Sequence, residues 1–170
     1  PQRGPACRQE SPPVSRPRFR PRKLETNYNK GVELPLGTHR LLIQGDVIRL
    51  RIIGSFGPQD LVAYMKVRDQ LLKVQSHVYT LLDLSEGTEL PAETRRLATS
   101  DGFRDKKNDH RVALAYYGVT PIKAGVVRLA LAAIRTVTRR ELRFQILGSE
   151  EAARQWIDTL RIQDQQTANS

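Results

Sequence analysis

The chain has 170 residues, enough for one domain, and it carries 28 Lys and Arg against 18 Asp and Glu, a formal net charge of +10. Its single cysteine, Cys7, excludes an intramolecular disulfide, and no His or Cys pair has the spacing of a metal site. The most apolar segment, Ile122 to Ile134, is interrupted by Lys123 and Arg128 and is too short to cross a bilayer. Since no secretory signal stands near the start, we expect a cytoplasmic protein.

The first 38 residues differ in composition from the rest of the chain. They contain seven of the ten prolines and eight Lys and Arg against three Asp and Glu, with the cations concentrated between Arg16 and Lys23. Such a segment buries too few apolar groups to offset its ordering entropy, so residues 1–38 are predicted to form a disordered, basic, Pro-rich tail. The tail is either a solvated linker or a contact for nucleic acid or an anionic membrane, because Arg and Lys displace counterions from phosphate.

The folded part is predicted to begin with a β-hairpin. Two β-rich runs, Arg40–Gln44 and Val47–Ile53, flank Gly45-Asp46, and glycine supplies the positive φ that a two-residue turn needs. In the second run apolar side chains alternate with arginines, so one face of this strand should be buried while the arginines stay in water. Pro58 then opens an amphipathic helix that lies on a sheet.

Three further strands and three further helices are predicted along the rest of the chain. The first two of these strands are apolar on both faces, as in a buried parallel sheet, and the third alternates like an edge strand. Pro91 and Pro121 open two of the helices, and Ser149 caps the last one. The predicted strands are Val78–Asp83, Arg111–Gly118 and Leu142–Leu147. Of the three predicted helices, the first spans 91–98, the second begins at 121 and the third begins at 149.

The resulting order, β-β-α-β-α-β-α-β-α, predicts an α/β fold. An N-terminal β-hairpin feeds a mainly parallel five-stranded sheet with about four helices. The domain is predicted to span residues 39–162, and residues 163–170 are predicted to be a frayed C-terminus. A domain of about 130 residues buries roughly two-thirds of the surface of its unfolded chain, which is enough for independent stability.

Two short stretches stand out in this order. One is Arg111-Val112-Ala113-Leu114 within a strand, and the other is the ending from Phe144 to Ile157, with its Glu-Ala pair and Trp156. Together with the entry through a hairpin, they resemble the bacterial SpoIIAA-like proteins of the STAS superfamily over residues 41–160. The resemblance implies a STAS/SpoIIAA-like fold, a fold that is also compared with CRAL-TRIO lipid-binding domains.

The resemblance also implies a regulatory switch that this chain lacks in its usual form. STAS proteins that antagonise anti-sigma factors carry a phosphorylated serine in an Asp-Ser-Ser-Gly-like segment soon after an Asp-Leu-Ser strand. Aligned on Asp83-Leu84-Ser85, that segment falls at Leu90–Thr94, which reads Leu-Pro-Ala-Glu-Thr. The kinase-switch role is therefore not carried over, and whether Ser85 or Thr94 is modified stays open.

The polar groups after the Val78–Asp83 strand are the first candidates for a site, because ligands bind at the carboxyl ends of parallel strands. Asp83 either serves a function there or caps the following turn. We expect a non-catalytic regulatory or interaction module that binds a protein partner through this region, and a homodimer stays open. The candidate partner-binding residues are Asp83, Ser85, Glu93, Thr94, Arg95, Arg96 and Phe103.

An alternative function is the binding or transport of an apolar or lipid ligand. The helix that begins at Pro121 is apolar around most of its circumference, which is typical either of a ligand-facing wall or of a helix packed on a sheet. Its candidate pocket residues are Val126, Leu129 and Ala133. An enzyme is not expected, since no nucleophile, base and oxyanion donors can be assembled, and neither a cofactor nor a metal is predicted.

Overall fold

Six strands form one sheet within the part of the chain that the computed structural model describes, namely residues 31–100, 111–121, 124–125, 127–129, 131–132 and 143–168. They lie side by side in chain order, and their bounds are β1 (Val32–Leu36), β2 (His39–Gln44), β3 (Val47–Gly54), β4 (Val78–Gly87), β5 (Val112–Tyr117) and β6 (Arg143–Ile146). The pairs β1–β2 and β2–β3 are antiparallel, and the three pairs from β3 to β6 are parallel. The predicted α/β class, with a hairpin that leads into a mainly parallel sheet, is confirmed.

Helices cover both faces of the sheet. Their bounds are α1 (Pro58–Leu72), α2 (Ala92–Thr99) and α3 (Glu150–Ala168). Residues 121, 124–125, 127–129 and 131–132 are also helical, between β5 and β6. Pro58 stands at the first position of α1, and the Asp60 carboxylate accepts the Gly57 N–H at 2.9 Å. Ser149 caps α3 as predicted, because its hydroxyl accepts the Ala152 N–H at 3.2 Å.

Alternation along the strands produces two apolar clusters. Ile48, Leu50 and Ile52 of β3 face the layer that contains α1, where they pack with Val78 and Leu82 of β4. The second cluster lies on the opposite face, between the sheet and α3. Its buried side chains are Val47, Tyr79, Leu81, Ala113, Ala115, Tyr117, Ala153 and Ile157. Since side chains alternate between the faces of a strand, Arg49 and Arg51 lie on the α3 side of the sheet.

Strand β1 corrects the predicted boundary of the tail and makes the sheet six-stranded, where five strands were predicted. Residues 32–36 were assigned to a disordered segment ending at residue 38, but they pair with β2 from Val32↔Ile43 to Leu36↔His39. Leu36 is buried in the α1-side cluster, so this strand gains enough apolar contact to be ordered. Pro35 is tolerated because an edge strand has one side without a partner for its missing N–H.

The end of the chain also differs from the prediction. Helix α3 continues to Ala168, although residues 163–170 were predicted to fray. Asp164 explains most of this difference, since its carboxylate accepts hydrogen bonds from Tyr79 and Arg143 on the sheet. The last turns of α3 are therefore held by polar contacts, which an apolar periodicity does not reveal.

Two polar side chains are buried between α1 and the sheet. His39 lies in β2, where its Nδ1 accepts the Ile53 N–H at 3.1 Å and its Nε2 lies 3.3 Å from the Asp60 carboxylate. Tyr64 of α1 hydrogen-bonds the hydroxyl of Thr80 in β4 at 2.8 Å. Both pairs are satisfied internally, as buried polar groups must be.

Candidate functional site

Strand β4 does not end at Asp83, where the sequence pattern placed its end. It continues to Gly87 and pairs with β3 through Ile53↔Glu86 and Gly54↔Gly87. Between Arg51↔Asp83 and Ile53↔Glu86, β4 advances by three residues while β3 advances by two. This extra residue is a β-bulge, a feature that bends a strand and aims its side chains differently.

Asp83 and Ser85 hold the bulge together. The Oδ1 of Asp83 accepts the backbone N–H of Ser85 at 3.0 Å and its hydroxyl at 2.6 Å. Gly118, which follows β5 with φ +72°, packs against them, and a Cβ there would lie 2.8 Å from the Ser85 nitrogen and 2.9 Å from Asp83 Oδ1. Asp83 thus serves the backbone, as a short carboxylate commonly does beside its own turn.

Arg51 lies on the other side of the bulge. Its Nε lies 3.6 Å from Asp83 Oδ2, and its terminal nitrogen is hydrogen-bonded to Glu86. The cross-strand row Arg51, Asp83 and Tyr117 follows from the registers of the parallel strands β3, β4 and β5. The charged groups at this edge of the sheet are therefore paired with each other.

A second cluster of charged side chains links this edge of the sheet to the start of α3. Glu150 is hydrogen-bonded to Arg49 of β3 and accepts two hydrogen bonds from Arg154, at 2.6 and 2.9 Å. Burial, together with the nearby Glu150 and Asp83 carboxylates, raises the pKa of the Tyr117 hydroxyl to about 12, although Arg49 opposes the rise. Tyr117 consequently remains a neutral hydroxyl at physiological pH.

Among the described residues, this edge holds no base or oxyanion donors that would activate a nucleophile. The Ser85 hydroxyl donates to a carboxylate, whereas catalytic serines are activated by an imidazole or amine base with oxyanion donors opposite. Of the histidines in the described residues, His39 contacts Asp60 and His77 lies 4.0 Å from Asp164. Within the same residues, no group of three His, Cys, Asp or Glu is placed to hold a metal ion.

Helix α2 divides the other candidate residues between two environments. Thr94 is only 1% exposed and donates a hydrogen bond of 3.0 Å to the Phe56 carbonyl, so it cannot contact a partner. Glu93, Arg95 and Arg96 are exposed on the outer side of the helix. Phe103 lies outside the described residues. Three of the candidate side chains, Glu93, Arg95 and Arg96, are therefore available to a partner. Thr94 is not, because it anchors the helix to the rest of the domain.

The predicted apolar pocket is not supported. Leu129 is 73% exposed and so does not line an enclosed space between a helix and the sheet, while Val126 and Ala133 lie outside the described residues. A shallow depression of about 350 Å³ occurs instead on α1, lined by Pro58, Gln59, Val62, Ala63 and Lys66. No helix of the described part is long and apolar enough to cross a membrane.

Several residues that shape the edge went unrecognised in the sequence. Arg51, Glu86, Tyr117 and Gly118 surround Asp83 in the structure. The alternation Val47-Ile48-Arg49-Leu50-Arg51 was a usable signal, because it placed the arginines on one face of a strand adjacent to the Asp83 strand. Glu86 could not be found this way, since the bulge shifts its register.

Comparisons with known proteins give one structural neighbour to report. No protein-family model matches the chain, and no curated protein sequence matches it. The structure is similar to the crystal structure of an uncharacterized protein of the DUF3478 family, with a SpoIIAA-like fold, from Shewanella loihica PV-4. The two are 12% identical with a TM-score of 0.48, over 75% of this chain and 91% of that one.

Proposed function

We propose that this chain is a non-catalytic interaction module of STAS (SpoIIAA-like) type, which binds a protein partner through α2 and the segment between β4 and α2. The binding surface consists of Leu90, Glu93, Arg95 and Arg96, hereafter the α2 surface. A location in the cytoplasm remains part of this proposal.

The arrangement of α2 is the observation that carries the proposal. Its inner side is anchored by the hydrogen bond from Thr94 to Phe56 and by packing against α1. Its outer side exposes charged side chains, and Leu90, which is 43% exposed, precedes the helix. A surface on an anchored element loses little conformational entropy on binding, and arginine is enriched among the residues that contribute most to interface energies.

The sheet edge beside α2 supports a role without turnover. Asp83 is engaged by Ser85 and Arg51, so it is committed to the bulge rather than directed at a substrate. The segment at the position of the STAS phosphorylation motif has no Ser-Ser-Gly, and the buried hydroxyl of Thr94 is not accessible to a kinase. Binding by the module would therefore not depend on the usual serine switch.

The test is affinity capture with the full chain from extracts of its native cell. The double variant Arg95→Glu/Arg96→Glu should lose a protein that the wild type retains, while Lys66→Glu, an exposed charge reversal on α1, should retain it. Equal capture by the double variant and the wild type would exclude the α2 surface. If the wild type released product from a candidate substrate and Asp83→Asn did not, the chain would be an enzyme and not a non-catalytic module.

A further inference from the structure

Within the described residues, half of one sheet face carries no helix. Helix α3 packs on β4 and β5, and the same face of β1 and β2 leaves Glu33, Pro35 and Arg40 exposed, with Leu42 half-buried between them. These four side chains share a face because they alternate with the residues that pack under α1. We refer to Glu33, Pro35, Arg40 and Leu42 as the open half-face.

The open half-face contains one cation and one anion whose side chains have no partner among the described residues. Arg40 lies directly opposite Arg51 in the β2–β3 register, a like-charge pair that destabilises antiparallel strands. Arg51 is compensated by Asp83 and Glu86, but the side chain of Arg40 makes no hydrogen bond or ion pair in the described part of the chain. The same holds there for Glu33 on β1. Two opposite charges on neighbouring strands are thus exposed without meeting each other.

We propose that two copies of this chain associate through their open half-faces about a two-fold axis, with Arg40 of each copy paired to Glu33 of the other. A two-fold interface is self-complementary, so one patch must supply both members of each contact. Glu33 lies opposite Leu42 and Arg40 opposite Pro35, so the two charges are two positions apart along neighbouring strands.

The geometry of the sheet permits this packing. With the axis parallel to the strands, β1 of each copy lies over β2 of the other, and the two sheets face each other about 10 Å apart. Each α3 then lies beyond the β1 edge of the opposite copy, so the two helices do not collide. Association edge to edge is disfavoured, because Pro35 removes a ladder donor from β1.

Charge complementarity favours a second copy over a polyanion as the occupant. Near the open half-face, Glu86 is paired with Arg51 and Glu150 with Arg49, so of these carboxylates only Glu33 is left without an ionic partner in the described part of the chain. Glu33 would repel a phosphate or an acidic peptide bound at Arg40, whereas a second copy supplies both signs. This surface lies on the sheet face opposite α1, so the proposal goes beyond binding through the α2 surface.

The experiment is sedimentation velocity of the full chain over a concentration series at low and moderate salt. The wild type should dimerise weakly and dissociate on addition of salt, since exposed ion pairs are screened. Arg40→Glu and Glu33→Arg should each weaken the dimer several-fold. The swap Glu33→Arg/Arg40→Glu should restore it, and mixing the two single variants should form heterodimers.

Lys66→Glu is the matched control, and it should dimerise like the wild type. A wild type that stays monomeric throughout would overturn the proposal, as would a dimer insensitive to Arg40→Glu or a swap that rescues nothing. A monomeric wild type that binds a fluorescein-labelled oligoglutamate peptide through Arg40 would likewise overturn it, in favour of an acidic partner. None of these outcomes involves Arg95 or Arg96, so they do not bear on the α2 surface.

Discussion

The hydroxyl of Tyr79 donates a hydrogen bond of 2.6 Å to Asp164, which lies 85 positions later in the chain. Arg143 of β6 binds the same carboxylate through two nitrogens, both at 2.9 Å. One carboxylate on α3 thus joins β4 and β6, the two strands that flank β5. Burial by itself would raise the pKa of Asp164, but the hydrogen bonds from Arg143 and Tyr79 outweigh it and lower the pKa below 3.8.

Asp164→Asn should destabilise the protein by about 2 kcal/mol, because charge-assisted hydrogen bonds to a largely buried carboxylate are lost. The free energy of unfolding in urea measures this. The pKa of Asp164 is lower in the folded state than in the unfolded state, so its contribution is fully present above about pH 3.8 and is lost as the pH falls through the folded-state pKa. The variant should therefore show a shallower acid dependence than the wild type.

Asp158→Asn is the control for this prediction. Asp158 lies on the same helix, is 45% exposed and contacts Arg161 at 3.6 Å, so its loss should change the free energy of unfolding by less than about 1 kcal/mol. Equal destabilisation by the two substitutions would contradict the role of Asp164 as the anchor of α3.

Thr94→Val should loosen α2 without unfolding the sheet. The substitution keeps the shape of the side chain but leaves the Phe56 carbonyl without its hydrogen bond, at a cost of about 1 kcal/mol. Amide hydrogen exchange should accelerate within α2 and stay unchanged in β3 and β4, while Thr94→Ser should preserve protection. Uniform acceleration across the domain would show that the bond supports the whole fold and not α2 alone.

Tyr117 makes the protein sensitive to alkali. Burial is the largest cause of the rise of its pKa from 10.0 to about 12, and in the unfolded chain the hydroxyl ionises at its ordinary pKa. The favourable contribution of the neutral hydroxyl is therefore complete below pH 10 and declines as the pH rises through about 12.

Tyr117→Phe tests this directly. The free energy of unfolding of the variant should fall less between pH 10 and pH 12 than that of the wild type, since one proton release on unfolding is removed. The ultraviolet absorbance of tyrosinate should show the loss of a late-titrating group. A loss of absorbance near pH 10 in place of a loss near pH 12 would mean that Tyr117 ionises at its ordinary pKa.

Two truncations measure the contribution of β1. Removal of residues 1–38 deletes Leu34 and Leu36, which pack with the α1-side cluster, and leaves β2 as an unprotected edge. Compared with removal of residues 1–30, it should lower the free energy of unfolding by roughly 3 kcal/mol, the scale for losing two buried leucines. Equal stability of the two truncated chains would contradict the place of β1 in the sheet.

Periodicity predicted the interior of the sheet well and its margins poorly. The alternation in β3 and the apolar runs of β4 and β5 identify strands that are buried on one or both faces, and these residues fill the two clusters. At β1 the alternation Val32, Leu34, Leu36 was present, but it was masked by Pro35 and the preceding prolines. Because an edge strand tolerates proline, the alternation was a valid strand signal. The proline-rich composition nevertheless led to the prediction of a disordered tail.

The candidate site was harder to predict, because it depends on contacts between distant residues. Asp83 was recognised as well placed, yet its role follows from the bulge and from Gly118, which comes 35 positions later. Thr94 and Arg95 are adjacent in sequence, and only packing against Phe56 decides that one is buried and the other exposed. Polar residues in a short helix carry too little periodicity to resolve this difference.

Hydrogen–deuterium exchange of the chain, free and bound to its captured protein partner, tests the α2 surface most directly. Binding should slow amide exchange in α2 and in Leu90, which precedes it. Exchange in β1 and β2 should stay unchanged at concentrations where the chain is monomeric. Protection confined to other elements, with α2 exchanging at its free rate, would contradict the assignment of α2 as the binding surface.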